Sequence, residues 1–202
     1  MESTDPSSSL PGASVDSLDD KELVQAIVER RTDAVAELYD RYSGMLKALS
    51  QRILHDPSDA EEILQETFLQ VWNQAGRYDP KRSSVSTWLV LISRSRSIDR
   101  LRSRQVKLRT ATAAGRENPD IHTSPKGVRN VLGQERRKRL QEEMAKLPGE
   151  QSKVLELAFY SGMTQSEIAE HTGIPLGTVK TRTLLAMKKL RQALSEEIKE
   201  LL

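Results

Sequence analysis

The chain contains no cysteine, and aromatic residues make up only 4% of its 202 residues. Disulfides, thiolate metal sites and thiol redox sensing are therefore excluded. Two phenylalanines and two tryptophans leave little to fill a large core, whereas 30% of the residues are charged. That balance suits small helical domains with thin cores and much solvated surface. Valine and isoleucine rarely alternate with polar residues, so strands are not expected. No apolar run approaches the roughly 20 residues that span a bilayer, and the opening "MESTDPSSSLPG" lacks a signal peptide's apolar segment. The cytoplasm is the expected location, with no membrane insertion. Histidines 55, 122 and 171 are scattered without metal-ligand or triad spacing. No glycine-rich phosphate loop is present. No catalytic residue, metal or cofactor is expected, and the chain does not read as an enzyme.

What is present is a segregated charge pattern. The net charge is only +2, but from Ile53 to Ala75 every charge is acidic: Asp56, Asp59, Glu61, Glu62 and Glu66. From Arg94 to Arg109 the chain carries Arg94, Arg96, Arg100, Arg102, Arg104, Lys107 and Arg109 against Asp99 alone. From Leu176 to Arg191 all charges are basic. One acidic surface and two basic ones suggest a bridge between a protein and a nucleic acid.

The periodicity predicts an all-α chain of two small helical domains joined by a flexible linker. Residues 1–17, rich in Ser, Pro and Asp, read as a disordered tail. Residues 18–104 form the first domain, 105–134 the linker and 135–202 the second domain. In the first domain Leu23, Val24, Ile27 and Val28 make one helical stripe, and Val35, Leu38, Tyr39, Tyr42, Leu46, Leu49 and Ile53 a longer one. "DPSDAEE" interrupts the helix, and Asp59 with Glu62 reads as a capping box. The next helix buries Ala60, Ile63, Leu64, Thr67, Phe68, Val71 and Trp72, leaving Glu61, Glu62, Gln65, Glu66, Leu69 and Gln70 outside. An apolar Leu69 among carboxylates marks that face as a protein-binding surface. The loop "GRYDPKRSS" leads into the helix "VSTWLVLISRSRSIDRLRSR". Tyr78 and Trp88 flank the basic loop and suit either core packing or the stacking of unpaired bases.

"TQSEIAEHTGIPLGTVKTRTLLAMKKLR" has helix-turn-helix grammar. Ile168 and Ala169 face inward, Gly173 allows a left-handed turn, Ile174 plugs the core, and Pro175 sets the entry to the second helix. Gly177 lets backbone amides approach a phosphate. Stepping about 100° per residue puts Val179, Thr183, Ala186, Leu190 and Leu194 on the core face. Thr181, Leu184, Leu185 and Lys188 lie opposite, with Lys180 and Arg182 on the flanks. Two outward leucines on a basic helix fit burial in a DNA major groove.

"LPGEQSKVLELAFYSGMTQSEIAEHTGIPLGTVKTR", Leu147 to Arg182, resembles region four of bacterial sigma factors, which binds the −35 promoter element. "DAEEILQETFLQVW", Asp59 to Trp72, is similar to the region-two helix that docks on the clamp of RNA polymerase. "RYDPKRSSVSTWLVLISRSRSIDRLR", Arg77 to Arg102, is similar to the segment that melts and reads the −10 element. Together they resemble the extracytoplasmic-function (ECF) group of the sigma-70 family from about Leu18 onward. The resemblance implies a factor that binds core RNA polymerase at its clamp and flap regions and directs promoter-specific initiation, with an anti-sigma factor as a further partner. It implies polymerase contacts at Asp59, Glu62, Gln65, Glu66 and Leu69. It places −10 binding and melting at Tyr78, Lys81, Arg82, Ser83, Ser84, Trp88, Arg94, Ser95, Arg96 and Arg100. Contacts to the −35 element fall to Thr178, Lys180, Thr181, Arg182, Leu184, Leu185 and Lys188. Two positions depart from the family pattern: Ser95 stands where asparagine is common, and Leu184 and Leu185 where an aromatic and an arginine are frequent.

An ordinary helix-turn-helix regulator, binding DNA without polymerase, is the competing reading, but it leaves Asp59 to Arg102 unexplained. An adaptor or anti-sigma-like protein that binds only protein is a third, opposed by the basic outward face of the last helix.

Overall fold

The computed structural model describes residues 15–112 and 142–200. Seven helices of eight residues or more carry the described fold: α1 (Asp20–Val28), α2 (Thr32–Leu54), α3 (Pro57–Gln74), α4 (Val85–Thr112), α5 (Gly149–Phe159), α6 (Gln165–Thr172) and α7 (Leu176–Glu200). No strand occurs among the described residues, as the lack of alternating apolar runs implies. Two of the expected unstructured stretches are shorter than the composition suggested. Val15–Ser17 forms a 3-10 turn, and α4 continues to Thr112 into what reads as linker. The remainder of the tail, 1–14, and of the linker, 113–134, lies outside the described residues.

The described residues fall into two compact units, 15–50 with 56–96, and 51–55 with 97–112 and 142–200. The core of the first unit draws Leu23 and Ile27 from α1, Leu38 and Leu46 from α2, Leu64, Phe68 and Val71 from α3, and Val85, Leu89 and Ile92 from α4. Its helix starts are built locally. The Asp19 side chain accepts from the backbone N–H groups of Lys21 and Glu22, and Glu22 answers by accepting from Asp19 N–H, a capping box that fixes α1. Asp20 then ties α1 to α2, accepting from the Tyr42 hydroxyl and from Arg41 at 3.0 Å. Burial first, then the Asp20 carboxylate, push the Tyr42 phenol above its ordinary value, so Tyr42 stays protonated as the donor. Between α2 and α4 the small, buried Ser50 and Ser93 share a hydroxyl hydrogen bond of 3.0 Å. Trp72 packs against this core, and the Arg30 guanidinium lies 5.3 Å from its ring, donating also to the Trp72 carbonyl near the end of α3.

The second unit contains the expected helix-turn-helix. Thr164 and Glu167 form a reciprocal capping box at the start of α6. Gly173 ends α6 in the left-handed region at φ 69°, where a side chain would be strained. Ile174 and Ala169 pack against a buried trio of Val154, Ile168 and Val179. On α7 the expected phasing holds: Val179 and Ala186 are fully buried, and Thr183 and Leu190 are half-buried on the same side. The side chain of Leu194 lies outside the described residues.

Candidate protein and nucleic-acid interfaces

The start of α3 differs from the sequence expectation. Asp56, not Asp59, is the N-cap: its Oδ1 accepts from the N–H groups of Ser58 at 2.8 Å and Asp59 at 3.0 Å. Pro57 occupies the first turn, where its missing N–H leaves nothing unsatisfied. Asp59 consequently sits three residues inside the helix and turns inward, only 8% exposed. The family resemblance implied a polymerase contact at Asp59, but its side chain lies off the exposed outer face of α3. Glu62, Gln65 and Leu69 do lie on the outer face, with Leu69 60% exposed. Two acids at the margins of that face are engaged within the chain. Glu61 pairs with Lys47 of α2, and Glu66 with Arg96 of α4 at 2.6 Å.

The loop before α4 is organised by hydrogen bonds. Asp79 accepts from Lys81 N–H at 2.9 Å through its side chain and from Arg82 N–H at 3.1 Å through its carbonyl. This turn leaves the Lys81 and Arg82 side chains exposed. Ser84 opens α4: its Oγ accepts from Thr87 N–H at 3.2 Å and contacts the hydroxyls of Ser86 and Thr87, each at 2.9 Å. The serine before an apolar helical run is the signal that identifies such a cap. Tyr78 and Trp88 both pack against the core and lie 5.2 Å apart, their rings inclined at 43°. The Tyr78 hydroxyl donates to the Ser83 carbonyl at 3.0 Å. Burial, followed by the nearby carboxylates of Asp20 and Asp19, raises its pKa. These rings thus brace the loop, while each stays half-buried, with an accessible part.

Along α4, Ser95 is exposed, and Thr87, Leu91 and Asp99 follow the same four-residue stripe. Leu91 is 55% exposed and belongs to this outward face, in step with its spacing of four from Ser95. Arg94 and Arg100 are half-buried. Arg96 is turned toward α3, where its Nε donates to Gln70 Oε1 at 2.8 Å and its Nη1 to Glu66.

On α7, Lys180, Thr181, Leu184, Leu185 and Lys188 are exposed and Thr178 is half-buried. Leu184 is 69% and Leu185 43% exposed, as the helical phasing requires. Met187, at 48%, extends the apolar patch and was not singled out from the sequence. The Thr181 hydroxyl donates back to the Gly177 carbonyl at 2.9 Å. Arg182 is half-buried and ion-paired with Glu150 in the first turn of α5. Periodicity within one helix could not reveal that partner.

Among the described residues no three His, Asp or Glu side chains converge as a metal site, and no helix is long and apolar enough to cross a membrane. His122 lies outside the described residues.

Comparison with known proteins places these surfaces in a family. Residues 38–106 match Sigma-70 region 2, and residues 137–190 match Sigma-70, region 4. The ECF RNA polymerase sigma factor SigK of Mycobacterium sp. (strain KMS) is 33% identical over 172 residues, covering 85% of this chain and 89% of that protein. The ECF RNA polymerase sigma factor RpoE of Cereibacter sphaeroides is 36% identical over 174 residues, covering 86% and 93%. Among solved structures, Rhodobacter sphaeroides SigE in complex with the anti-sigma ChrR is 32% identical, covering 86% of this chain and 97% of that one, with a TM-score of 0.45. With both regions matched in order and relatives aligned over most of their length, the chain belongs to the ECF group of the sigma-70 family of bacterial RNA polymerase sigma factors.

Proposed function

We propose that this chain docks on core RNA polymerase through Glu62, Gln65, Glu66 and Leu69 of α3, and directs initiation at promoters read by α4 and α7. The observation that carries this assignment is the exposure of an apolar residue within each charged face. Leu69 stands out among the acids of α3, and Leu184 among the cations of α7. On α7, Leu184 together with the exposed Leu185 and Met187 forms an apolar patch rimmed by polar residues, the kind that marks an interaction site. Lys81, Arg82 and the accessible parts of Tyr78 and Trp88 serve strand separation, with Ser83 and Ser84 shaping the loop. Arg94, Ser95, Arg96 and Arg100 serve the −10 duplex. Thr178, Lys180, Thr181, Arg182, Leu184, Leu185 and Lys188 serve the −35 element. The partners are core polymerase and promoter DNA, with an anti-sigma factor by family membership. The role is non-enzymatic and cytoplasmic.

The direct test is reconstitution with core polymerase on a promoter library, with the transcription starts mapped. Specific starts that require this chain support the reading. Tight sequence-specific DNA binding by the chain alone, with no effect on polymerase, would instead favour a simple helix-turn-helix regulator.

Three variants resolve the DNA contacts. Replacing Lys81 and Arg82 by alanine is expected to impair open-complex formation on duplex promoters more than on pre-melted templates. Equal loss on both would mean that the loop only holds DNA and does not open it. Within the −35 element, Leu184 and Leu185 are expected to favour thymine methyls. Leu185→Arg should shift one position toward guanine by roughly 1–3 kcal/mol, the range for a bidentate pair, read from a randomised −35 library. Lys180→Ala should weaken all −35 sequences alike, because phosphate contacts carry no sequence information. An unchanged preference in Leu185→Arg would place Leu185 off the bases.

A further inference from the structure

Leu91 has no role among the promoter contacts proposed above, yet it lies in their midst. On a helix the surface neighbours of a residue stand three and four positions away. For Leu91 these are Thr87 and Trp88 on one side and Arg94 and Ser95 on the other. Trp88, Arg94 and Ser95 are all assigned above to opening or holding the −10 element. A DNA surface that touches those three covers Leu91 between them. The fold keeps the side chain on that face. α4 packs on the core through Val85, Leu89 and Ile92, with Ser93 and Ser97 also buried, while Leu91 stays 55% exposed.

Charge separates this leucine from the docking leucine of α3. Leu69 has Glu66 one turn before it, within a segment, Ile53 to Ala75, whose every charge is negative. Among the four neighbours of Leu91 only Arg94 is charged, and its charge is positive. The exposed cations Lys81 and Arg82 stand in the loop before the same helix. A polyanion fits this setting, and a basic protein surface does not. Leucine has no donor or acceptor with which to read the polar edge of a base. In the major groove its apolar counterpart is the C5-methyl of thymine. Resting on the −10 role of α4, we propose that Leu91 is a further specificity-determining residue, selecting thymine at one −10 position by covering its C5-methyl. Leu91 adds apolar discrimination to whatever the Ser95 hydroxyl reads by hydrogen bonding one turn away.

Deoxyuridine differs from thymidine only by that methyl, so it isolates the contact. Holoenzyme reconstituted with the full chain first selects −10 sequences from a randomised library, and the selected elements should share a thymine. Synthetic duplex promoters then carry deoxyuridine at each −10 thymine in turn, and holoenzyme affinity is read by fluorescence anisotropy. At one position deoxyuridine should weaken binding about fourfold, the worth of one buried methylene-sized group. Leu91→Ala should bind the thymine promoter more weakly by at least about the same factor and treat thymine and deoxyuridine alike there. Leu91→Met, apolar and of similar volume, should keep the discrimination. A leucine with only a structural role would leave the ratio between the two promoters unchanged in every variant. The proposal is overturned if no −10 thymine discriminates, or if Leu91→Ala keeps the wild-type ratio. Weaker binding of Leu91→Ala to core polymerase with the thymine preference intact would make Leu91 a protein contact and overturns it equally. A library that yields no −10 preference at all counts against the −10 role of α4, whereas a −10 element without a shared thymine overturns the role of Leu91 alone.

Discussion

Reversing the charge at Glu62 is expected to abolish binding to core polymerase while leaving the fold intact. Glu62 lies on the outer face of α3, one turn from Glu66 and two turns from Leu69. A cationic partner that meets a carboxylate here would meet a guanidinium in Glu62→Arg. Like charges opposed across an interface cost several kcal/mol, and about 1.4 kcal/mol is tenfold in affinity, so a loss of at least roughly a hundredfold is expected. The fold should tolerate the change. Arginine and glutamate have similar helix propensity, and Glu62 lies beyond the first turn of α3, where the helix dipole acts most strongly. Leu69→Ala should weaken docking by a smaller amount, about 1.5–3 kcal/mol if the leucine is fully covered in the complex. Titration of labelled chain against core polymerase, beside circular dichroism, reads both effects. Undiminished affinity in Glu62→Arg at normal helicity would remove the outer face of α3 from the interface.

The outer face of α3 and the pairing of Glu66 with Arg96 differ in how far they can be read from a sequence. The face of α3 was legible because burial repeats with the helical period: Ala60, Ile63, Leu64, Thr67, Phe68 and Val71 are all buried. The same rule placed Leu184 and Leu185 outward on α7 and Val179 and Ala186 inward. Which of the outward charges is engaged elsewhere in the chain is not periodic. Glu66 with Arg96 and Arg182 with Glu150 are separated by 30 and 32 positions, and only tertiary structure brings them together. A guanidinium on a long stem reaches across to a neighbouring helix, so the helical face of its Cα does not determine its partner.

The error at the start of α3 has a different origin. Asp59 with Glu62 has the spacing of a capping box, but the preceding Asp56-Pro57 pair offers a better start. Proline needs no hydrogen-bond partner at the first helical position, and Asp56 takes the N–H groups of Ser58 and Asp59. His55, at φ 55°, breaks the chain direction immediately after α2. The helix therefore begins earlier, and Asp59 rotates inward. The aromatic pair shows the complementary limit. Tyr78 and Trp88 suited two roles by composition, and the brace from the Tyr78 hydroxyl to the Ser83 carbonyl depends on a loop shape that no periodicity encodes.

Ile168→Ala is expected to unfold the helix-turn-helix and eliminate −35-dependent initiation, while docking through α3 survives. The buried trio among the described residues is Val154, Ile168 and Val179, with Leu157, Ala158, Met163, Ala169 and Ile174 packed against it, and Ile168 has no exposed surface. Truncating a buried isoleucine to alanine costs about 2–5 kcal/mol, from lost burial and the cavity left behind. That is a large share of the roughly 5–15 kcal/mol that stabilises a whole domain, and a core this small sits at the lower end. Ala169, packed against the trio, has little side chain to move into the gap, and Gly173 holds the turn in a left-handed conformation. Ile168→Val removes one methylene and should cost only about 0.5–1.5 kcal/mol, so a graded pair of melting curves checks the mechanism. The functional readout is equally specific. Polymerase affinity should remain near wild type, because the α3 surface draws on a separate core of Leu64, Phe68, Val71 and Leu38. Transcription from promoters that depend on the −35 element should disappear. Loss of docking together with −35 recognition would show that the α3 surface depends on the second core, and the assignment of the two activities to separate helical sets would have to be abandoned.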